Sequence, residues 1–212
     1  MKNKKLMFSS IVALLILFVG AAYFYKENKS QEANKITNEN SKILKRDYSY
    51  VLGNKDAKVE LVEFFDPACG SCAFFHPFVK KIMDKHKGDI KLVFRYAPFH
   101  KNSEYAVKML EGAREQGKFI ETLEFMYSTQ SQWVQNHIVS AQTLYALLAT
   151  TNLDMTRLAK FLNESNVEKR VMQDLKDTET LKINKTPTYY VNGRILEEFS
   201  LKSLENLINS EL

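Results

Sequence analysis

Cysteine is almost missing from this chain: 212 residues carry only two, and both fall in one run, Cys69-Gly70-Ser71-Cys72. A four-cysteine zinc site is thereby excluded. A passive bridge between the two would close a very short loop and stabilise little. Glycine (7) and proline (4) are scarce as well, so each proline carries more information than usual. No cysteine follows the apolar run near the start, which removes the attachment residue of a lipoprotein. Charge is in short supply where a polyanion would need it. The formal +5 is accounted for by Lys2, Lys4 and Lys5 and by the basic excess between Lys26 and Arg46. From Asp47 onward the chain is near neutral, which gives no basis for nucleic-acid binding.

Long hydrophobic runs are limited to one. Leu6 to Tyr25 is uncharged and mostly apolar, close to the roughly 20 residues a membrane-spanning helix needs. It exceeds the apolar core of a typical signal peptide, about 7–15 residues. The lysines before it favour a cytoplasmic N-terminus, which puts the rest of the chain outside. Val19-Gly20-Ala21 resembles a cleavage site, so a removed signal peptide is the alternative, leaving a soluble periplasmic protein. Either way the domain faces an oxidising compartment. Residues 1–25 thus read as an anchor or signal, 26–42 as a polar tether, and 43–212 as the globular part; the chain as a whole is 45% hydrophobic, enough for one sizeable core.

The globular pattern is β, β, α, β, five helices, hairpin, α. Strands are expected at Tyr48–Leu52, Val59–Phe65 and Ile90–Tyr96, with an amphipathic helix from Ala73 to His86 between the last two. Helical spacing then runs through Ser103–Gln116, Phe119–Ser128, Ala141–Thr150, Met155–Asn163 and Val167–Thr180, with Ser140 and Asp154 as N-caps. Thr188–Val191 and Ile195–Phe199 read as strands joined at Asn192-Gly193, a strong hairpin signal. Leu201–Ile208 closes the chain as a helix. The class is α/β, with a helical insertion at about 102–182.

A Cys-x-x-Cys pair after a strand and at the start of a helix has a specific chemistry. The helix N-terminus offers unpaired N–H groups and the positive end of the dipole, and both favour thiolate over thiol. Cys69, at an exposed cap, is then the attacking sulfur, and Cys72, in the first turn, the resolving one. Pro77 falls inside the same helix, where proline is costly, and so marks a kink. Thr186-Pro187-Thr188 starts a strand, which proline tolerates at its first residue. His76 follows Cys72 by four residues on one helical face. A tethered metal-binding module using Cys69, Cys72 and His76 is therefore the competing reading, although the histidines fit no standard spacing. His100 reads as a solvated loop histidine and Trp133 as a packing residue.

FFDPACGSCAFFHP (64–77), VFRYAPF (93–99) and TPTYYVNG (186–193) together resemble the DsbA family of thiol–disulfide oxidoreductases in the thioredoxin superfamily. The resemblance covers roughly Asp47 to Leu212 and implies a thioredoxin-like fold with an inserted helical domain. It implies that Pro187 is a cis-proline beside the redox pair. Thr186, Pro187, Gly70 and Ser71 would then contact substrate. It also implies a buried charged pair beneath the site, with Glu63 as the family glutamate and Arg95 at the basic position. Glu63 could relay the Cys72 proton. No cofactor is implied. The partners implied are reduced or misoxidised secreted proteins and a quinone-linked membrane oxidase or a membrane reductase. Strongly oxidising members usually carry Pro-His between the cysteines. Gly70-Ser71 offers the thiolate less, so this disulfide should be less oxidising. That leaves oxidase as the expected direction, and reductase or isomerase as alternatives.

Overall fold

β-Branched and aromatic residues alternate with little interruption in two segments, and these become the centre of the sheet. In a computed structural model that describes residues 42–164 and 166–212, the strands are Tyr50–Gly53 (β1), Val59–Phe65 (β2), Ile90–Tyr96 (β3), Val134–Gln135 (β4), Ile138–Val139 (β5), Thr188–Val191 (β6) and Arg194–Ile195 (β7). The helices are Gly70–Lys85 (α1), Ser103–Arg114 (α2), Phe119–Ser128 (α3), Gln130–Trp133 (α4), Ala141–Leu148 (α5), Met155–Glu164 (α6), Val167–Thr180 (α7) and Leu201–Asn209 (α8). The expected anchor at 6–25 and nearly all of the tether lie outside the described residues. Among the described residues no helix is long and apolar enough to cross a membrane.

The main sheet has the order β1-β3-β2-β6-β7. β2 and β3 are parallel, with α1 as their crossover, and the other pairings are antiparallel. Leu61 to Phe65 are all buried, because both faces of β2 are covered. Leu61 and Phe65 join Phe75, Val79 and Ile82 of α1 in the larger core. Val62 and Phe64, one residue out of phase, join Leu44, Val93 and Ile183 in a smaller one. This two-residue alternation decides which side chains can meet the cysteines.

Several boundaries differ from expectation. The last strand ends at Ile195 rather than Phe199, since it pairs with β6 only through Ile195 and Arg194. Its turn residues Asn192 and Gly193 have φ of 46° and 82°, as a two-residue primed turn requires. The first strand is shifted to Tyr50–Gly53. The helical block contains a second hairpin, β4–β5, that the sequence concealed. Its turn is Asn136-His137, both with positive φ, and its strands are too short to show alternation. Within the block Gly112 lets α2 approach α6, because a Cβ there would meet Leu158 Cδ1 at 2.4 Å. The Tyr96 hydroxyl donates to Glu111 Oε1 at 2.5 Å and ties β3 to α2. Asp154 and Ser140 cap α6 and α5 as expected, accepting from Arg157 N at 3.0 Å and Thr143 N at 3.3 Å.

Candidate active site

β2 ends at Phe65 and delivers Asp66, fully buried, to the loop that carries the cysteines. A buried carboxylate needs donors, and this one has four. Ala68 N donates to Oδ1 at 2.8 Å, His100 N and Nδ1 donate to Oδ2 at 2.9 and 2.8 Å, and the Ser103 hydroxyl donates to Oδ1. The Asp66 carbonyl accepts from Cys69 N at 2.9 Å. Gln130 of α4 donates to the Pro67 carbonyl at 2.9 Å. The loop is thus fixed from the sheet, from the β3–α2 connection and from the helical block. Nothing in the sequence pattern marked Asp66. The available signal was a lone carboxylate at the end of a buried strand.

Cys69 is the N-cap of α1, in extended conformation and with no side-chain cap, so the first-turn N–H groups face its sulfur. Gly70 and Ser71 are exposed above it. Cys69 itself keeps only 6% exposure and Cys72 none, so the attacking sulfur is less open than its cap position suggests. Both are free thiols. As a thiol, Cys69 donates to the Thr186 carbonyl oxygen at 3.2 Å. As a thiolate it is favoured first by the Cys72 thiol, then by the Thr186 side chain and by the nearby N–H groups of Cys72 and Ser71. Together these outweigh burial and bring its pKa down to about 6. Burial, and then the neighbouring Cys69, push Cys72 well above the ordinary thiol range. One sulfur is poised to be ionised and the other to stay protonated. The Thr186–Pro187 peptide is cis, and Pro187 is buried beside the pair.

Glu63 shares the α1 face of the sheet and is wholly buried. Its Oε1 accepts from the Tyr189 hydroxyl at 3.0 Å, while burial, resisted by that bond, drives its pKa up to about 8. Arg95 does not pair with it. Glu63 stands in register with Phe94, so Arg95, one residue on, points to the opposite face. There it lies 5.1 Å over Phe64 and binds Asp174 at 2.8 Å and Asp177 at 2.6 Å on α7. The expected charged pair beneath the cysteines is instead a carboxyl with a tyrosine hydroxyl.

The two histidines also depart from expectation. His100 is held by Asp66 rather than solvated, and that bond, ahead of a smaller contribution from Cys69, raises its pKa. His76 is 3% exposed and turns Nε2 toward Glu124 at 3.4 Å. The metal-module alternative has no support: among the described residues no three His, Cys, Asp or Glu side chains gather into a metal-holding group. Pro77 sits inside α1 without ending it. Trp133 is buried and donates to the Met126 carbonyl at 3.1 Å. Beside the cysteines Phe74 is 65% exposed, and Phe75 stacks on Phe199, itself 41% exposed, at 4.5 Å.

Known proteins are similar to this chain in sequence and fold. A family model described as thioredoxin matches residues 45–210. Disulfide bond formation protein D of Bacillus subtilis is 28% identical over 169 residues, covering 76% of each chain. The crystal structure of oxidised BdbD from Bacillus subtilis superposes with a TM-score of 0.67 and 27% identity, over 77% of this chain and 92% of that one. Wolbachia pipientis α-DsbA1 has the same fold, with a TM-score of 0.70 at 19% identity, over 81% and 94% of the two chains. A Na+/H+ antiporter NhaA of Herminiimonas arsenicoxydans is 30% identical over 147 residues, which is 69% of this chain and 23% of the antiporter. The chain therefore spans about a quarter of the length of the antiporter relatives it matches.

Proposed function

The chain belongs to the thioredoxin family, its structural neighbours are DsbA-like oxidoreductases, and we propose that it exchanges disulfides with secreted proteins as an extracytoplasmic oxidase. The observation that carries this reading is the asymmetry of its two sulfurs. Cys69 caps α1 with its pKa near 6, and Cys72 lies fully buried behind it. A substrate thiolate attacks Cys69 of the disulfide, and Cys72 leaves. A second substrate thiol then attacks its own sulfur in the mixed disulfide and frees Cys69 as a stabilised thiolate. Two electrons pass from the substrate to the pair, and a quinone-linked membrane partner removes them. Thr186 and Pro187 hold the substrate backbone, and the exposed rim of Phe74 and Phe199 meets its apolar side chains. Residues 6–25 keep the domain at the outer face of the membrane or direct its export as a cleaved signal.

The reduction potential of the Cys69–Cys72 couple tests the direction. A value well above that of thioredoxin, about −270 mV, supports an oxidase, and a value at or below it makes the protein a reductase. The class of reaction is tested separately by Cys69→Ser, which should abolish dithiol oxidation. Retained activity in that variant would sink the assignment.

A further inference from the structure

Buried polar atoms nearly always find partners, and a cluster that does not marks bound water or a functional path. Among the described residues four buried side-chain polar atoms lack a partner, and three of them gather behind the cysteines: Glu63 Oε2, Tyr127 Oη and His76 Nδ1. Their placement follows from packing. Phe94 is the register partner of Glu63, and its ring lies 6.5 Å from that of His76. The His76 and Tyr127 rings are 5.4 Å apart. The far side of His76 meets Glu124, which is 40% exposed and paired with Lys80. His76, Tyr127, Glu124 and Lys80 line one open groove of about 470 Å³ beside α1.

We propose that Tyr127 and His76 form a proton relay between Glu63, under the cysteine pair, and Glu124 in the surface groove. This rests on the oxidoreductase reading and extends it, because the resolving sulfur is buried and its proton must travel. For an outward passage His76 carries its hydrogen on Nε2, facing Glu124, which leaves Nδ1 as an inward-facing acceptor. Tyr127 can then donate to Nδ1 while accepting from the direction of Glu63. None of the three atoms bonds directly to another, so the relay requires a bridging water between them. Three polar partners is the usual complement of a buried water.

The bookkeeping closes in both directions. When a substrate thiolate breaks the Cys69–Cys72 bond, Cys72 leaves as a thiolate and takes the Glu63 proton. Glu63 is reprotonated through Tyr127 from His76 Nδ1–H, the tautomer that an outward passage leaves behind, as Nε2 takes a proton delivered from solvent by way of Glu124. When Cys72 instead resolves a mixed disulfide, its proton passes to Glu63. The Cys69–Cys72 bond forms, the substrate sulfur leaves as a thiolate, and the same protons run outward. The ionisable groups facing Glu63 are Cys69, Cys72, Tyr189 and Tyr127, and those facing His76 are Glu124, Lys80 and Tyr127.

The test uses the full chain with Cys69–Cys72 oxidised and follows reduction by a small dithiol across pH, in wild type, Tyr127→Phe and His76→Ala. The relay predicts rates about tenfold lower near neutral pH in both variants, unchanged reduction potentials, and recovery of His76→Ala by added imidazole. A Tyr127→Phe rate within about twofold of wild type overturns the relay, as does a His76→Ala loss that imidazole leaves in place and a shifted potential accompanies. If His76→Ala does not fold, Tyr127→Phe decides alone. A wild-type protein that no dithiol reduces overturns the oxidoreductase reading itself, whereas equal rates in active proteins remove only the relay.

Discussion

Cys69 Sγ lies 3.2 Å from the carbonyl oxygen of Thr186, a residue 117 positions further along the chain. The contact places the start of β6 against the cap of α1 and puts the Thr186 side chain within reach of the thiolate. The Cys72 thiol contributes most to lowering the Cys69 pKa, and Thr186 comes next among the groups that lower it. The pH midpoint of Cys69 alkylation should therefore fall near 6, rise in Thr186→Val and rise further in Cys72→Ala. Equal midpoints in wild type and Thr186→Val would remove the side chain from the site.

Glu63 couples stability to pH. Its carboxyl is held up to about 8 against an ordinary value of 4.5. Between those values the unfolded chain has released a proton that the folded one still binds. Its stabilising contribution is complete below 4.5 and is lost as pH rises toward 8. Cys69 has the opposite sign: its folded pKa near 6 lies under the ordinary 9.0, so its contribution grows over that range and disappears below 6. The dithiol form should lose stability from about pH 4.5 to 6 and change little from 6 to 8, where the two slopes cancel. Glu63→Gln keeps an acceptor for Tyr189 and removes the falling slope. It should gain on the order of 3 kcal/mol at pH 7 relative to acid conditions and exchange at least tenfold more slowly. Denaturant titration across pH and single-turnover kinetics read the two effects.

The Gly70-Ser71 filling can be exchanged. Gly70 is the first residue of α1, where proline is favoured, and only Gln130 Oε1, at 3.7 Å, lies near an added Cβ. The N–H groups that lower the Cys69 pKa belong to Ser71 and Cys72, so proline at 70 removes neither. Gly70→Pro with Ser71→His should add a charge-assisted donor of about 1.5–3 kcal/mol to the thiolate and raise the potential by roughly 30–60 mV. Equilibration with a glutathione buffer measures it, and an unchanged potential would mean that the added imidazole does not reach Cys69.

Arg95 is structural. Arg95→Met would leave Asp174 buried without a cation while Asp177 keeps Arg46 at 2.6 Å, a loss of about 3 kcal/mol. Because those groups sit on the far face of the sheet, the Cys69 midpoint should stay near 6. A shift in that midpoint would place Arg95 in electrical contact with the sulfurs after all.

What could be read in advance follows from the range of each signal. The strand before Cys69, the helix after it and the Asn192-Gly193 turn are local patterns, and the α/β class with its helical insertion followed from them. Glu63 was found through resemblance, but its partner was misassigned, because one residue of register decides which face Arg95 occupies. Asp66, Tyr127 and Tyr189 act through contacts across the fold, and single residues at ordinary helix or strand positions carry no sign of that. The β4–β5 hairpin escaped because its turn uses Asn136-His137 where glycine was the expected marker.

The four donors on Asp66 leave the cysteine loop no slack, since its carboxylate is saturated by the loop itself and by the segment that leads into α2. A sulfur mounted that firmly cannot swing out to meet a cysteine on another protein. On the exchange reaction proposed above, the conformational search would fall to the substrate: a thiol in a mobile or extended stretch could come to Cys69, and one locked in a finished fold could not. Discrimination between unfinished and finished proteins would arise from the stiffness of the enzyme, with no surface dedicated to telling them apart.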